Sequence, residues 1–476
     1  MLVRSTAYHL CTRLILVLGL SATIQTVHAM TFDNRNDPAP IYKTLDPQTF
    51  LLTREKLILK GYAVDTPRPE RISLSLSPFG QRAGIARDKC KNDINLGDIN
   101  GKWAMVGLLM GDIPEGYALP PTLQVARQNL FPNQPPGTPI DDPTAVDKGQ
   151  ACGFFTIPAK YRKYGMRFNF EAQLIGDLGV SIDVGLANIS LTPCEFINLT
   201  TSDTSGNMVY SLCDTTSCDC FNPSLTKKNI NEYLMCPYQQ IMDEICYDID
   251  DFNKFSVEDI RMFLYWRHAY PMNTYKDEWE NFLLVPFFKI GGAVAASKHY
   301  NPNQLFALSF GNQNHDAVGF TAGINMDFAN TIEIGGETGI THFFSRQFSN
   351  YHVPTSQFQV GIYPFATCVN INPGANWHFT AKMNAYHFMG NLSFFFQYVL
   401  VIHTDDSIKL NQPNPGHAFK PELLEELSNF RVQVGNVGFN YDIAPQISLG
   451  FLWQAPLSQY NAYRTTTIMV GFNAMF

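Results

Sequence analysis

Long alternations of apolar and polar residues constrain this chain most. Val318, Phe320, Ala322, Ile324, Met326 and Phe328 share one parity, against Gly319, Thr321, Gly323, Asn325 and Asp327 on the other. Leu392, Phe394, Phe396, Tyr398, Leu400 and Ile402 form another such face. Strand side chains point to opposite faces in turn, so each run is a strand with one greasy side. Several runs reach about 11–14 residues. Globular strands average about five or six residues, whereas a tilted membrane strand needs about 9–11. Length favours strands that cross a membrane over a soluble sandwich.

The start of the chain agrees with export. Arg4 and Arg13, the apolar run Leu14 to Ala22 and then Val27-His28-Ala29 fit a cleaved signal peptide over 1–29. The run is too short to anchor a helix in a bilayer, and no later run reaches about 18 apolar residues. Cleavage after Ala29 removes two of the 34 Lys and Arg and none of the 42 Asp and Glu, taking the net charge from −8 to −10. Such a balance argues against nucleic acid as a partner, since phosphate recognition needs basic patches.

The last stretch, RTTTIMVGFNAMF from Arg464, is also a dyad strand, with Ile468, Val470, Phe472, Ala474 and Phe476 on one face. With the export signal and the strands from Tyr164 onward, it resembles the closing strand of bacterial outer-membrane β-barrel proteins. The resemblance implies an all-β, antiparallel transmembrane barrel in the bacterial outer membrane, with lipid around it. It also implies that the barrel-assembly machinery reads Phe476 as an assembly signal.

Fourteen segments have strand character: 71–77, 102–110, 164–175, 179–189, 283–296, 303–310, 316–328, 331–344, 357–372, 376–388, 391–403, 430–441, 446–456 and 464–476. Dropping 71–77 and 303–310 gives twelve, with a periplasmic turn at Asp177 to Gly179 and long loops outside. Twelve obeys the loop rule better than fourteen, although 71–77 alternates well. Residues 30–70 are a periplasmic lead-in or a plug entering the lumen. Residues 71–190 carry the first strands around a Pro-rich loop, 112–143, and 282–476 carry the main strands. Between them, 191–281 reads as a Cys-rich, partly helical insert. One helix is predicted over Asn229 to Tyr247. Another is predicted from Ser256, capped with Asp259 three residues on, to about Tyr270.

Eight of the ten cysteines fall between Cys90 and Cys246. In an exported chain Cys90, Cys152, Cys194, Cys213, Cys218, Cys220, Cys236 and Cys246 are disulfide candidates, with 105 pairings open. CDTTSCDC lacks the two spaced pairs of a zinc site, and Asp248-Ile249-Asp250-Asp251 lacks the glycine of a calcium loop. No metal, cofactor or enzymatic constellation emerges. The lumen parity collects Arg167, Glu171, Asp183, Asp327, Glu333, Glu337 and Lys382. These charges form either a constriction that sorts solutes or a ladder of ion pairs that fills the barrel. The function expected is diffusion of small solutes through a polar lumen. The alternatives are a surface adhesin presenting a disulfide-braced domain to a ligand, and a transporter for hydrophobic compounds.

Overall fold

The computed structural model describes residues 34–44, 71–132, 153–200, 227–271, 282–297, 301, 303–328, 331–414, 417–444 and 446–476. The signal-peptide reading over 1–29 lies outside them, as do Cys152, Cys213, Cys218 and Cys220. Twelve strands form one closed sheet. They are β1 (Ile72–Ala83), β2 (Ala159–Ile175), β3 (Leu178–Pro193), β4 (Ile260–Arg267), β5 (Phe282–Val294) and β6 (Ala317–Phe328), followed by β7 (Ile332–Phe343), β8 (Asn376–Met389), β9 (Leu392–His403), β10 (Phe430–Ala444), β11 (Ile447–Tyr460) and β12 (Thr466–Met475). Each pairs antiparallel with the next, and β12 returns to β1 with Met475 opposite Ser73. The Phe476 N–H donates to the Ile72 carbonyl (2.9 Å), and the Ile72 and Arg71 N–H groups donate back to the Phe476 carbonyl.

One end of the barrel carries tight reversals. Gly176-Asp177 and Gly390-Asn391 are two-residue turns whose glycines have φ of 56° and 60°, the region such hairpins require. The other end carries the connections 84–158, 194–251, 295–316, 344–375, 404–429 and 461–465. An even-stranded barrel whose turns at one end are short, apart from the connection 268–281, and whose other end carries most of the long loops has the architecture of bacterial outer-membrane barrels. The short turns mark its periplasmic end.

The outward parity is apolar around the whole wall. Phe168, Leu264, Ile290, Phe320, Ile334, Phe379, Phe396, Phe439, Phe451 and Val470 are all exposed. In water such a belt would be an aggregation surface; in a bilayer it is the lipid contact. Phe168→Arg, in the middle of β2, is expected to destabilise the barrel by about 2–4 kcal/mol. Urea unfolding in lipid vesicles measures this, and an unchanged midpoint would mean that this face does not meet lipid.

Several expectations are corrected. Twelve is the strand number, but β1 belongs to the barrel and runs on to Ala83, whereas 102–110, 303–310 and 357–372 do not belong to it. Residues 103–110 are buried on every side, which is why they read as an unbroken apolar run. From 357–372 only Ala366–Asn372 is a strand, in a small sheet with Arg346–His352 and Ser407–Leu410 above the outer rim. The helix predicted from Ser256 is instead β4, extended outward by Phe252–Val257. Ile260, Met262, Leu264 and Trp266 lie on its outward parity, so the segment also fits a period of two. Within the Pro-rich stretch, Pro121–Leu130 is helical, because proline is tolerated in the first turn.

The outer loops fold together into a cap over the mouth. Its core contains Leu108, Leu123, Ile241, Phe306, Phe348 and Ile362, continuous with Phe79, Tyr161 and Phe252 at the outer ends of barrel strands. Helical turns over Lys227–Ile230, Asn231–Met235 and Tyr238–Glu244 pack within it, so the described part of 191–281 is divided between cap and barrel wall. Among the described residues Cys90, Cys194, Cys236, Cys246 and Cys368 are unpaired, and apolar burial holds the described part of the cap together.

His315 and His352 lie buried in the cap, each bonded through Nδ1 to a carbonyl, of Phe344 and Tyr363 respectively. Burial pushes both imidazoles down to about 4. Each is neutral in the fold but protonated below about 6.5 once unfolded, so their stabilising contribution is lost as pH falls from about 6.5 to 4. Hydrogen-exchange protection factors of the cap, which are corrected for the intrinsic rate at each pH, are therefore expected to fall across that window, and unchanged protection factors would contradict it.

Candidate functional site: an occupied lumen with a two-faced cavity

Residues 34–44 run inside the barrel from its outer end toward its periplasmic half. Their sequence, NRNDPAPIYKT, suits this: Pro38 and Pro40 restrict the backbone and remove two donors that a lumen would have to satisfy. At the outer end the Arg35 guanidinium donates to Asn461 Oδ1 (3.1 Å) and Asn100 Oδ1 (2.8 Å). Thr465 Oγ1 donates to the Asn36 carbonyl (2.8 Å). Lower down, Gln454 donates to the Ala39 carbonyl, Lys43 pairs with Glu171, and Asn440 donates to the Thr44 carbonyl at 3.1 Å.

The middle of the segment is clamped by a buried charge cluster. Arg167 Nη2 lies 2.6 Å from Asp37 Oδ2 and 2.8 Å from Glu258 Oε1, while its Nε donates to Glu258 Oε2 (2.8 Å). Its Nη1 donates to the Ile41 carbonyl at 3.0 Å. Lys163 reaches the same two carboxylates at 2.9 and 2.5 Å. Two cations therefore meet two carboxylates, and Arg167 is wholly buried. Such a cluster is sustained only by complete pairing.

Local structure explains how Glu258 gets there. Between Phe252–Val257 and β4 the pairing with β3 is interrupted, and the Glu258 N–H donates to the Gly185 carbonyl (2.7 Å). Gly185 faces Arg167 in register, and a Cβ on it would overlap the Glu258 carboxylate. Another glycine pair seats the segment's inner end. Gly450 and Gly471 face each other across β11 and β12, and Thr44 lies over both.

Beside the segment lies a cavity of about 430 Å³. Alternate residues of β8, from Asn376 through His378, Thr380, Lys382 and Asn384 to Tyr386, form a polar column along it. Toward the outer ends of their strands, Ala293, Ala317, Phe343, Val399 and Val401 make an apolar lining, joined lower down by Phe395 and Leu452. The space therefore offers an apolar face near the cap and hydrogen-bonding groups down to the periplasmic end.

All seven predicted wall residues lie on the lumen parity, in two groups. Arg167, Glu171 and Asp183 stand on β2 and β3 beside the segment, with Asp183 accepting from Asn169 (2.6 Å). Asp327, Glu333, Glu337 and Lys382 stand on β6, β7 and β8, where Lys382 lies 3.3 Å from Glu333. Sequence reading missed Lys163, Glu258, Arg261 and Asp37. Lys163 was within reach, since it shares parity with Arg167 just before the predicted start of its strand. Glu258 and Arg261 were hidden by the helical reading.

No protein-family model and no curated protein matches the chain. Among solved structures it is similar to an outer-membrane channel of Pseudomonas putida F1, at 8% identity over 86% of this chain and 97% of that one (TM-score 0.41). It is also similar to the Pseudomonas putida toluene transporter TodX, at 8% identity over 95% and 100% (TM-score 0.29). A third likeness is to the translocator domain of the autotransporter NalP from Neisseria meningitidis, at 8% identity over 92% and 100% (TM-score 0.30). At these identities the likeness is one of barrel architecture.

Proposed function

We propose that this chain is an outer-membrane transport channel, gated by residues 34–44, for small organic compounds with an apolar body and a polar end. The cavity carries this reading, because an apolar face gathered toward its cap end stands across from a polar column that runs its whole length. A compound with both characters can keep a matched surface along that path, whereas a sugar would have to leave its hydroxyls unpaired against Phe343, Val399 and Val401. An open diffusion pore is disfavoured, since residues 34–44 fill part of the lumen and the cap core overlies its mouth. The adhesin alternative loses its disulfide-braced domain, because the described part of 191–281 is divided between cap and wall and its described cysteines are unpaired. On this reading outer-membrane lipid surrounds the belt and the assembly machinery reads the closing strand.

Flux into liposomes carrying the purified protein tests the proposal. After subtraction of the rates in protein-free vesicles, benzyl alcohol and phenylacetate are expected to cross faster than glucose. Equal rates for all three would return the chain to the general-porin class.

A further inference from the structure

Four groups stack in the lumen. The Arg167 guanidinium carbon lies 4.1 Å from the Phe79 ring centre and 5.1 Å from that of Tyr42, and the Arg261 carbon lies 5.4 Å from Tyr42. Tyr42, carried by the lumen segment, thus contacts two guanidinium groups, an arrangement that favours an aromatic ring because its faces are electron-rich.

The two arginines differ in what they lack. Arg167 is saturated by Glu258, Asp37 and the Ile41 carbonyl. Arg261 has no hydrogen bond or ion pair within 4 Å among the described residues, and its buried Nε has no partner. Asp183, opposite it in register, is engaged by Asn169. Arg261, Tyr42 and Phe263 all line the cavity. A guanidinium left unbonded at the edge of a ligand-sized space is a receptor for a carboxylate, which it can hold by two parallel hydrogen bonds.

We propose that the slot between Arg167 and Arg261, held here by Tyr42, recognises aromatic carboxylates, which take the place of the Tyr42 ring and so release the lumen segment. This rests on the channel reading above and names its cargo. Tyr42 is tethered and competes at a high effective concentration, on the order of millimolar for a short flexible link. A neutral aromatic ring only reproduces its contacts and gains nothing over it. An aromatic carboxylate keeps the ring contacts and adds the ion pair that Arg261 lacks. An aliphatic carboxylate supplies the charge without the π face.

The test uses the full chain in lipid vesicles with 3-fluorotyrosine at position 42. Benzoate, cyclohexanecarboxylate and toluene are titrated while the ¹⁹F resonance and the flux of each compound are followed. Benzoate is expected to shift the resonance at about tenfold lower concentration than either comparator. Arg261→Lys, which keeps the charge but loses the planar face, should remove most of the preference for benzoate over cyclohexanecarboxylate. Equal potency of those two anions, or benzoate flux with an unmoved resonance, overturns the slot and leaves the channel reading in place. Flux no greater than in protein-free vesicles for all compounds, in the native chain and in Tyr42→Ala alike, removes the channel reading itself.

Discussion

Replacing Arg167 with Met is expected to destabilise the barrel by about 3–5 kcal/mol, the usual consequence of breaking a buried ion pair on one side. The variant removes both hydrogen bonds to Glu258, the contact to Asp37 and the donor to the Ile41 carbonyl. Lys163 is then left alone with two buried carboxylates. Urea titration in lipid vesicles measures the change. The second variant of the cycle is Glu258→Leu, and the double variant should cost clearly less than the sum of the singles, because it leaves fewer buried charges unpaired. An Arg167→Met barrel within about 0.5 kcal/mol of the native one would mean that the cluster is wet or unformed.

Gly450→Val and Gly471→Val are expected to open the channel while the barrel remains folded. A Cβ at either position would lie well inside 3.0 Å of Thr44 Oγ1, closer than real Cβ atoms come to their neighbours. Valine suits a strand, and glycine weakens one, so the wall itself does not suffer. What must move is Thr44, and at Gly450 the Asn440 amide as well, and with them the bonds from Asn440 and Asn473 that hold the segment's inner end. Gly80→Val is the control, since nothing lies within 4 Å of a Cβ there. The two lumen variants should show a higher open probability in planar bilayers than both Gly80→Val and the native chain. If all four behaved alike, the Thr44 seat would not hold the gate.

The barrel was legible from the sequence because its signal is local. Strands such as β3 and β9 repeat the same parity over a dozen residues or more, and bilayer thickness sets their length. Two strands were misjudged for different reasons: 71–77 was set aside by the loop count, and 260–267 was read as helix. β1 looked short because the alternation weakens at Pro78-Phe79-Gly80, although pairing with β2 continues to Ala83. β4 was masked by Ser256 and Asp259, which mimic a helix cap, while Asp259 in fact accepts a bond from the Asn312 N–H (2.6 Å) across the barrel rim.

The site was only half legible. Parity placed Arg167 and Lys382 inside, but parity says nothing about which residues of non-adjacent strands meet. That Glu258 reaches Arg167 depends on a break in one strand and a glycine in the next. That Thr44 seats on Gly450 and Gly471 depends on two residues more than 400 positions from it. The cap was illegible for a similar reason, because its core gathers apolar residues from several loops whose spacing follows no single period.

Single-channel recording in planar bilayers compares the native chain most directly with one lacking residues 34–44. The native protein should rest closed with rare openings, and the shortened one should conduct continuously. Identical open traces from both would mark an ungated diffusion pore, and silence from both would contradict a channel altogether.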